Sequence, residues 1–123
     1  MVDNEITGGV IGAAIEVHKV LGPGLLESAY EVALKKELEL NGLRVRQQVS
    51  LPVVYKGERV ELGYRIDLLI EEKVIVEVKS VETLHDVHLA QILTYLKLSE
   101  KKLGLLINFN VARLADGIRR VIH

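Results

Sequence analysis

Two carboxylates and one ammonium group lie at spacings that could bind a metal ion and support its chemistry. Glu77 and Lys79 fall within the run VIVEVKS, residues 74–80, and Asp67 lies in the strand-like segment before it. Residues two apart on a β-strand point to the same face, so Glu77 and Lys79 share one side. The other side carries three valines: Val74, Val76 and Val78. Charged side chains inside a run of β-branched residues need a compensating group, which is either a side chain of opposite charge or a bound ligand.

The apolar pattern also determines how these two segments pair. If the turn between them holds three residues, 71–73, then Ile70 pairs with Val74. That register places Asp67 opposite Glu77, with Cβ atoms about 5 Å apart. It also groups the apolar side chains on the opposite face: Ile66, Leu68, Ile70, Val74, Val76 and Val78. A two-residue turn would mix apolar and charged residues on both faces, so the pattern favours the three-residue turn.

Two interpretations of this charged cluster remain open at this point. Carboxylates this close repel each other unless a positive charge lies between them. Lys79 can provide that charge, in a salt-bridged cluster on a half-exposed sheet face. Alternatively Asp67, Glu77 and the backbone carbonyl of Val78 can bind a hard divalent cation, Mg²⁺ or Mn²⁺. Lys79 would then orient or deprotonate a water, or neutralise charge at phosphorus.

The elements that position these residues follow from periodicity and turn signals. The sequence predicts helices over residues 5–21, 25–40 and 84–98, a last short helix from about residue 111, and strands at roughly 44–55, 59–70, 74–79 and 103–109. The order α-α-β-β-β-α-β-α belongs to the mixed α/β class. Strands 74–79 and 103–109 are joined through a helix and are therefore expected to be parallel. Lys56-Gly57 predicts a turn, and Thr83-x-x-Asp86 has the spacing of a capping box.

Composition limits the chemistry and the location. The 123 residues fit one domain, and the absence of cysteine excludes disulfides and thiolate metal sites. The net charge of −1 gives no global positive field that attracts nucleic acid. The N-terminus does not resemble a signal peptide, and no segment approaches the roughly 18 apolar residues of a membrane span. We therefore expect a cytoplasmic protein without membrane contact.

The spacing of the charged residues resembles that of a known superfamily. Asp67, followed after nine residues by Glu77-Val78-Lys79, is similar to the D…ExK core of the PD-(D/E)XK nucleases, although Ile66 stands where proline is usual. Four stretches resemble the GxxExxY family within it: GLLESAY (24–30), GYRIDLL (63–69), VHLAQILTYLKL (87–98) and GLLINFN (104–110). The resemblance covers almost the whole chain.

This resemblance implies a fold and a set of roles. The fold is a restriction-endonuclease-like mixed sheet of about four strands flanked by helices, with residues 1–123 as one nuclease-like domain. Asp67 and Glu77 would be metal ligands together with the Val78 carbonyl, and Lys79 would be the catalytic lysine. Glu27 would correspond to a helix glutamate near the metal. Gln91 and Tyr95 resemble a QxxxY element that contacts the substrate or supports the site, and Tyr30 belongs to the GxxExxY motif.

Each supporting residue also has a structural interpretation. A carboxylate at position 27 is favoured by the dipole of its helix. Tyr30 and Tyr95 fall at apolar-face spacing and suit core rings, and Gln91 suits a hydrogen-bonded buried amide. His18 and His88 are candidates for a further ligand, although a lone helix histidine is more often structural.

The activity implied by the resemblance is hydrolysis of DNA by an Mg²⁺- or Mn²⁺-dependent phosphodiesterase that leaves 5′-phosphates. One alternative is a nucleic-acid- or protein-binding module that keeps the fold and does not cleave. Another is a small junction-resolving dimer. A domain of this size has little surface with which to hold a duplex, so we predict a two-fold symmetric homodimer.

Overall fold

The computed structural model describes residues 1–123 and contains three helices and two sheets. The elements are α1 (Asp3–Leu21), α2 (Glu27–Leu40), β1 (Val45–Ser50), β2 (Val53–Tyr55), β3 (Glu58–Val60), β4 (Arg65–Ile70), β5 (Val74–Lys79), α3 (Asp86–Ser99), β6 (Leu103–Asn108), a 3₁₀ turn (Leu114–Gly117) and β7 (Ile118–Ile122). The main sheet has the strand order β1-β4-β5-β6-β7, and β2-β3 form a separate hairpin. Only β5 and β6 are parallel, as the crossover through α3 predicts. The predicted mixed α/β class is confirmed, and the architecture is consistent with a restriction-endonuclease-like fold.

The two long predicted strands are each divided in the structure. Pro52, which has no N–H for a ladder, follows the end of β1. Gly63, with a φ of 80°, separates β3 from β4. The segment between these breaks forms the β2–β3 hairpin, and its predicted turn at Lys56-Gly57 has two positive φ angles. That pair of angles suits a tight hairpin connection.

The predicted C-terminal helix is wrong beyond the single 3₁₀ turn. The chain from Ile118 to Ile122 instead forms β7, antiparallel to β6. Gly117 lies so close to the carbonyl of Asn108 that a side chain there would overlap it, so the absence of a side chain lets the segment before β7 pack against the end of β6. The pairing of β7 also covers the edge of β6, which would otherwise expose unpaired backbone groups.

The start of α3 also differs from its prediction. The helix begins at Asp86 with His85 as the preceding cap residue, so the predicted capping box at Thr83 is wrong. The backbone N–H of His85 donates to Nδ1 of His88 at 3.0 Å. One of the two candidate ligand histidines therefore serves at the helix start. None of the three helices combines the length and apolar character that a membrane span requires.

The sheet separates two apolar cores. The first core contains 19 buried residues and packs the sheet against α1 and α2. The second core contains 8 buried residues and packs the other face against α3. The predicted Ile70–Val74 pair is present. The sequence predicts that Ile66 shares a face with Leu68, but Ile66 packs in the second core together with its β1 partner Val49. The alternation of both strands changes at Gln48, which has a left-handed backbone and no pair in the ladder.

Candidate active site

Two carboxylates replace the backbone hydrogen bonds where the β4–β5 ladder ends. Backbone pairing of these strands stops at Leu68 and Val76. Beyond that point the N–H of Asp67 donates to Oε2 of Glu77 at 2.8 Å. The N–H of Val78 donates to Oδ2 of Asp67 at 2.9 Å. Each carboxylate is thus held by the backbone of the opposite strand, and the two acids are neighbours, as the predicted register requires.

The surroundings of this pair favour a protonated state when no cation is present. The Glu77 side chain is buried, with an exposed fraction of 3%. Burial, followed by the negative charge of Asp67, raises the pKa of Glu77 to about 8. Burial also raises the pKa of Asp67, against the opposing effect of the Val78 hydrogen bond. A group with a pKa near 8 is mostly protonated at pH 7, so the metal-free pair holds a proton.

Lys79 does not lie between the carboxylates. Its Nζ donates to Oε1 of Gln91 at 3.2 Å, and it forms no ion pair with Asp67 or Glu77. Nε2 of Gln91 donates in turn to the hydroxyl of Tyr95 at 3.3 Å. The salt-bridged cluster, one of the two interpretations of the sequence, is therefore absent. The structure instead joins Lys79, Gln91 and Tyr95 in one hydrogen-bonded series that extends from β5 to α3.

A third carboxylate, Glu31 on α2, is linked to the pair through a glutamine. Nε2 of Gln48 donates to both carboxylate oxygens of Glu31, at 2.9 and 3.0 Å, and to Oδ1 of Asp67 at 3.2 Å. Gln47 also donates to Glu31. Gln48 has a left-handed backbone, with a φ of 52°. The amide nitrogen of Gln48 thus lies between two acids that come from different elements.

Sequence reasoning missed Glu31 although a signal was present. Glu31 falls on the buried face of α2, next to Tyr30 and in line with Leu34 and Leu38. Its side chain is only 8% exposed. A carboxylate on an apolar helix face needs hydrogen-bond partners, which predicts a polar cluster at that point. The participation of Gln48 had no comparable signal, because its side chain reaches the acids only from this unusual backbone.

Glu27 lies near the site without joining the carboxylate pair. It is exposed at the first position of α2, and its Oε2 accepts the N–H of Ser80 at 3.4 Å. Ser80 directly follows Lys79, and its hydroxyl donates to the carbonyl of Leu25 at 2.6 Å. These contacts bring the start of α2 to the carboxyl end of β5.

Tyr30 and His18 lie away from the carboxylates, in the first core and at its border. The Tyr30 hydroxyl donates to the carbonyl of Gly22, and its ring stacks on Phe109 with centroids 4.6 Å apart. Tyr30 therefore fastens the loop that precedes α2. Nε2 of His18 forms a hydrogen bond with the carbonyl of Val111 at 2.8 Å. Neither candidate histidine reaches the pair.

The donor set suits a magnesium-type ion. No three Asp, Glu or His side chains converge to form a larger metal cluster. The available ligands are the two carboxylates, with the Val78 carbonyl as the backbone candidate. Mg²⁺ accepts such a set, because it is usually bound through one or two carboxylates and retains several waters. Structural zinc sites need four nitrogen, sulfur or oxygen ligands from the protein, which this site does not offer.

Comparison with known families agrees with this arrangement. A family model described as the PD-(D/E)XK nuclease superfamily matches residues 4–121. No curated protein and no solved structure matches significantly. The matched span includes both carboxylates, Lys79, and the two α3 residues of its hydrogen-bonded series, Gln91 and Tyr95.

Proposed function

Because the chain belongs to the PD-(D/E)XK nuclease superfamily, we propose that it is a metal-dependent nuclease that hydrolyses DNA phosphodiester bonds. One observation carries the proposal: the Asp67 and Glu77 carboxylates lie side by side, held by backbone donors, with no protein cation between them. Such a pair is stable with a proton or with a bound cation. We further propose that residues 1–123 form one nuclease domain, and the motif GLLESAY supports assignment to the GxxExxY family.

The proposed ligands are Asp67, Glu77 and the Val78 carbonyl, and the ion is Mg²⁺ or Mn²⁺. When bound, a divalent cation at this position supplies stabilisation of negative charge on phosphoryl oxygens and lowers the pKa of water. Superfamily members generally use such ions. Superfamily membership also implies a nucleic acid as the substrate, and we propose that it is DNA.

Lys79 is proposed as the catalytic residue because its ammonium group contacts an amide rather than a carboxylate. Gln91 orients that group through the 3.2 Å hydrogen bond, and Tyr95 orients Gln91. From this position Lys79 can direct a water toward phosphorus or neutralise charge on the phosphoryl group. Glu27 at the start of α2, which accepts the N–H of Ser80 just after the carboxyl end of β5, is proposed to assist at the site. Tyr30 is proposed to support it through the loop before α2.

The proposed reaction is direct hydrolysis. The oxygen of water attacks phosphorus as the bond between phosphorus and the 3′ oxygen breaks, and the electron pair of that bond leaves with the 3′ oxygen. The proton lost by water is balanced by the proton that the 3′ oxygen gains. The products are a 3′-hydroxyl and a 5′-phosphate, without a covalent enzyme intermediate.

Titration with Mn²⁺ by calorimetry, beside a cleavage assay on single-stranded, duplex and branched DNA, tests the proposal. Lys79→Ala should retain Mn²⁺ affinity, since an ammonium group cannot ligate a cation, while cleavage falls about 10²-fold or more. Glu77→Ala should lose both metal binding and cleavage. Lys97→Ala, which changes an exposed lysine on the same helix as Gln91, is the matched control and should change neither.

Two results would contradict the proposal. If the wild-type protein binds DNA but cleaves none of the three substrates with Mg²⁺ or Mn²⁺, the protein is a binding module. If Lys79→Ala cleaves as fast as the wild type, the activity belongs to another site.

A further inference from the structure

A groove runs between α3 and the segment that connects the β2–β3 hairpin to the main sheet. Its volume is about 450 Å³, and the residues that line it are mostly apolar and include no charged residue. Leu62 and Tyr64 form one wall, and Val87 and Tyr95 form part of the other. The exposed fractions of Leu62 and Val87 are 59% and 68%, so the groove opens widely to solvent.

The groove is continuous with the candidate active site. Gln91 and Tyr95 line it, and the same two residues form the hydrogen-bonded series that ends at Lys79 Nζ. A molecule seated in the groove would therefore contact the residue that orients the proposed catalytic group. A phosphate at Lys79 and a group in this groove can belong to one nucleotide.

The side chains around the groove suit a nucleobase. The rings of Tyr64 and Tyr95 have centroids 6.3 Å apart and are tilted by 60°, and Tyr64 is 47% exposed. An accessible tyrosine ring provides a stacking surface for a base of any sequence. Gln91 and Thr94 are the amide and hydroxyl on the wall, and both can form hydrogen bonds with the polar edge of a base.

The charge distribution separates the base from the backbone of the same nucleotide. The uncharged groove offers no counterion to a phosphate. Arg65, directly after Tyr64, is an exposed cation without an ion pair, and it donates to the carbonyl of Gln48 at 3.3 Å. Arg65 lies on β4 between the groove residue Tyr64 and the carboxylate of Asp67, two residues further along the chain. Its cation can contact a phosphodiester backbone that runs between the groove and the carboxylates while the base enters the groove.

We propose that this groove binds an unpaired nucleobase of the substrate next to the phosphate that is cleaved. A base inside a duplex is stacked on both faces and paired at its edge, so it cannot enter such a groove without being extruded. The substrate class that follows is DNA with unpaired nucleotides, as in single strands, strand ends or branches. This inference rests on the proposed function and adds the form of the substrate to it.

The test compares the binding of a labelled single-stranded oligonucleotide with that of its duplex, with Mg²⁺ present. Binding is measured in proteins that also carry Lys79→Ala, so that cleavage does not interfere. Tyr64→Ala should weaken single-strand binding about 5- to 150-fold, the range expected for loss of one stacked base. Duplex binding should change little. Tyr64→Phe, which keeps the ring, should bind as the parent does.

Tyr55→Ala is the matched control. Tyr55 is another exposed hairpin tyrosine, 66% exposed, but it does not line the groove. It should leave both affinities unchanged. If Tyr64→Ala binds single strands as well as the parent does, or weakens both DNA forms equally, the groove does not hold a base. Cleavage that depends on Lys79 would still stand in that case, so failure of this inference is distinct from failure of the proposed function.

A second copy of the chain is the alternative occupant, and sedimentation distinguishes it. If the wild type is a dimer without DNA and Tyr64→Ala is a monomer, the groove is a self-association surface and the inference is wrong. A dimer that persists in Tyr64→Ala would instead use another surface and leave the groove open to a base. The homodimer expected from the chain's size stays a prediction that this measurement also tests.

Discussion

The two faces of β5 differ although they come from one strand of six residues. Val74, Val76 and Val78 belong to the first core. On the other face Ile75 packs in the second core, and Glu77 and Lys79 follow it toward the carboxyl end of the strand. One face of β5 therefore changes from a packed apolar residue, Ile75, to a charged residue, Glu77, within two positions, and the other face does not.

This difference separates stability from chemistry. The first core extends across the sheet against two helices, whereas the second is less than half its size and ends beside an open groove. A buried carboxylate pair costs free energy unless a proton or cation compensates it. The large core on one face therefore tolerates a destabilising arrangement on the other, as is common at functional sites.

The largest effect on stability is expected on the apolar face. Leu105 is fully buried in the first core, and Leu105→Ala should reduce the free energy of unfolding by about 2–5 kcal/mol. Urea unfolding measures this loss. Metal affinity of the folded variant should remain that of the wild type, because the carboxylates belong to the other face. A parallel fall in metal affinity would show that the two faces are not independent.

The pH dependence of stability from the charged face should be opposite to that of a carboxylate paired with a cation, whose pKa is lowered on folding. The pKa of Glu77 rises from an ordinary value of 4.5 to about 8 on folding, so the native state binds more protons than the unfolded state between those values. The contribution of Glu77 to the free energy of unfolding of the metal-free protein should therefore be fully present below about pH 4.5. It should fall by a few kcal/mol as the pH rises to about 8. Unfolding measured across this range gives the slope.

Glu77→Gln should remove that slope and make the metal-free protein more stable at pH 8 than the wild type. Glu58→Gln, an exposed change on the hairpin, should leave the slope intact. If Glu77→Gln leaves the slope unaltered, the carboxylate does not ionise at the cost inferred from its burial.

A bound divalent ion should recover part of the stability that the buried carboxylate pair costs. Binding to the native state alone raises the free energy of unfolding by about 2.7 kcal/mol when the ion is present at about 100 times its Kd. Thermal melting with and without Mn²⁺ measures the gain. Asp67→Asn should lose most of this response, and above about pH 8, where Glu77 is ionised, it should also stabilise the metal-free protein by relieving like-charge repulsion. Asp116→Asn, at an exposed carboxylate, should retain the response; identical wild-type melting curves would contradict a metal site.

The smallest effect is expected at the opposite end of the strands. Arg46 and Glu72 form an ion pair at 2.7 Å, and more than half of each side chain is exposed. Arg46→Ala should reduce the free energy of unfolding by about 0.2–1 kcal/mol, and less at high salt. Chemical denaturation at two salt concentrations measures it. A larger loss would mean that the Arg46–Glu72 ion pair contributes more to stability than an exposed pair normally does.

Local pattern was sufficient to predict the centre of the site. The grouping of Ile70, Val74 and Val76 on one face of the two strands predicted the register and hence the contact between Asp67 and Glu77. The parallel pairing of β5 and β6 followed from the helix between them. Both features depend on the spacing of residues within short segments, and that spacing can be read directly from the sequence.

The parts that were not predicted depend on contacts distant in sequence. The segment Ile118–Ile122 is a strand because the edge of β6 is available to pair with it, and its three β-branched residues suit a strand but are too few to specify the partner. Glu31 reaches Asp67 only through Gln48, which lies 17 residues after it on another element. Lys79 contacts Gln91 rather than a carboxylate, a choice that depends on how α3 packs against the sheet.

The left-handed backbone of Gln48 has a consequence for how the protein behaves in crowded solution. β1 is an outer strand of the main sheet, and its pairing with β4 includes positions 45–47 and 49–50 but not 48. An outer strand with an unbroken row of N–H and C=O groups recruits strands from other molecules and can start fibrous aggregation. The turned peptide at Gln48 interrupts that row at its middle. The residue that links Glu31 to Asp67 therefore also makes the β1 edge a poorer template for strands from neighbouring molecules.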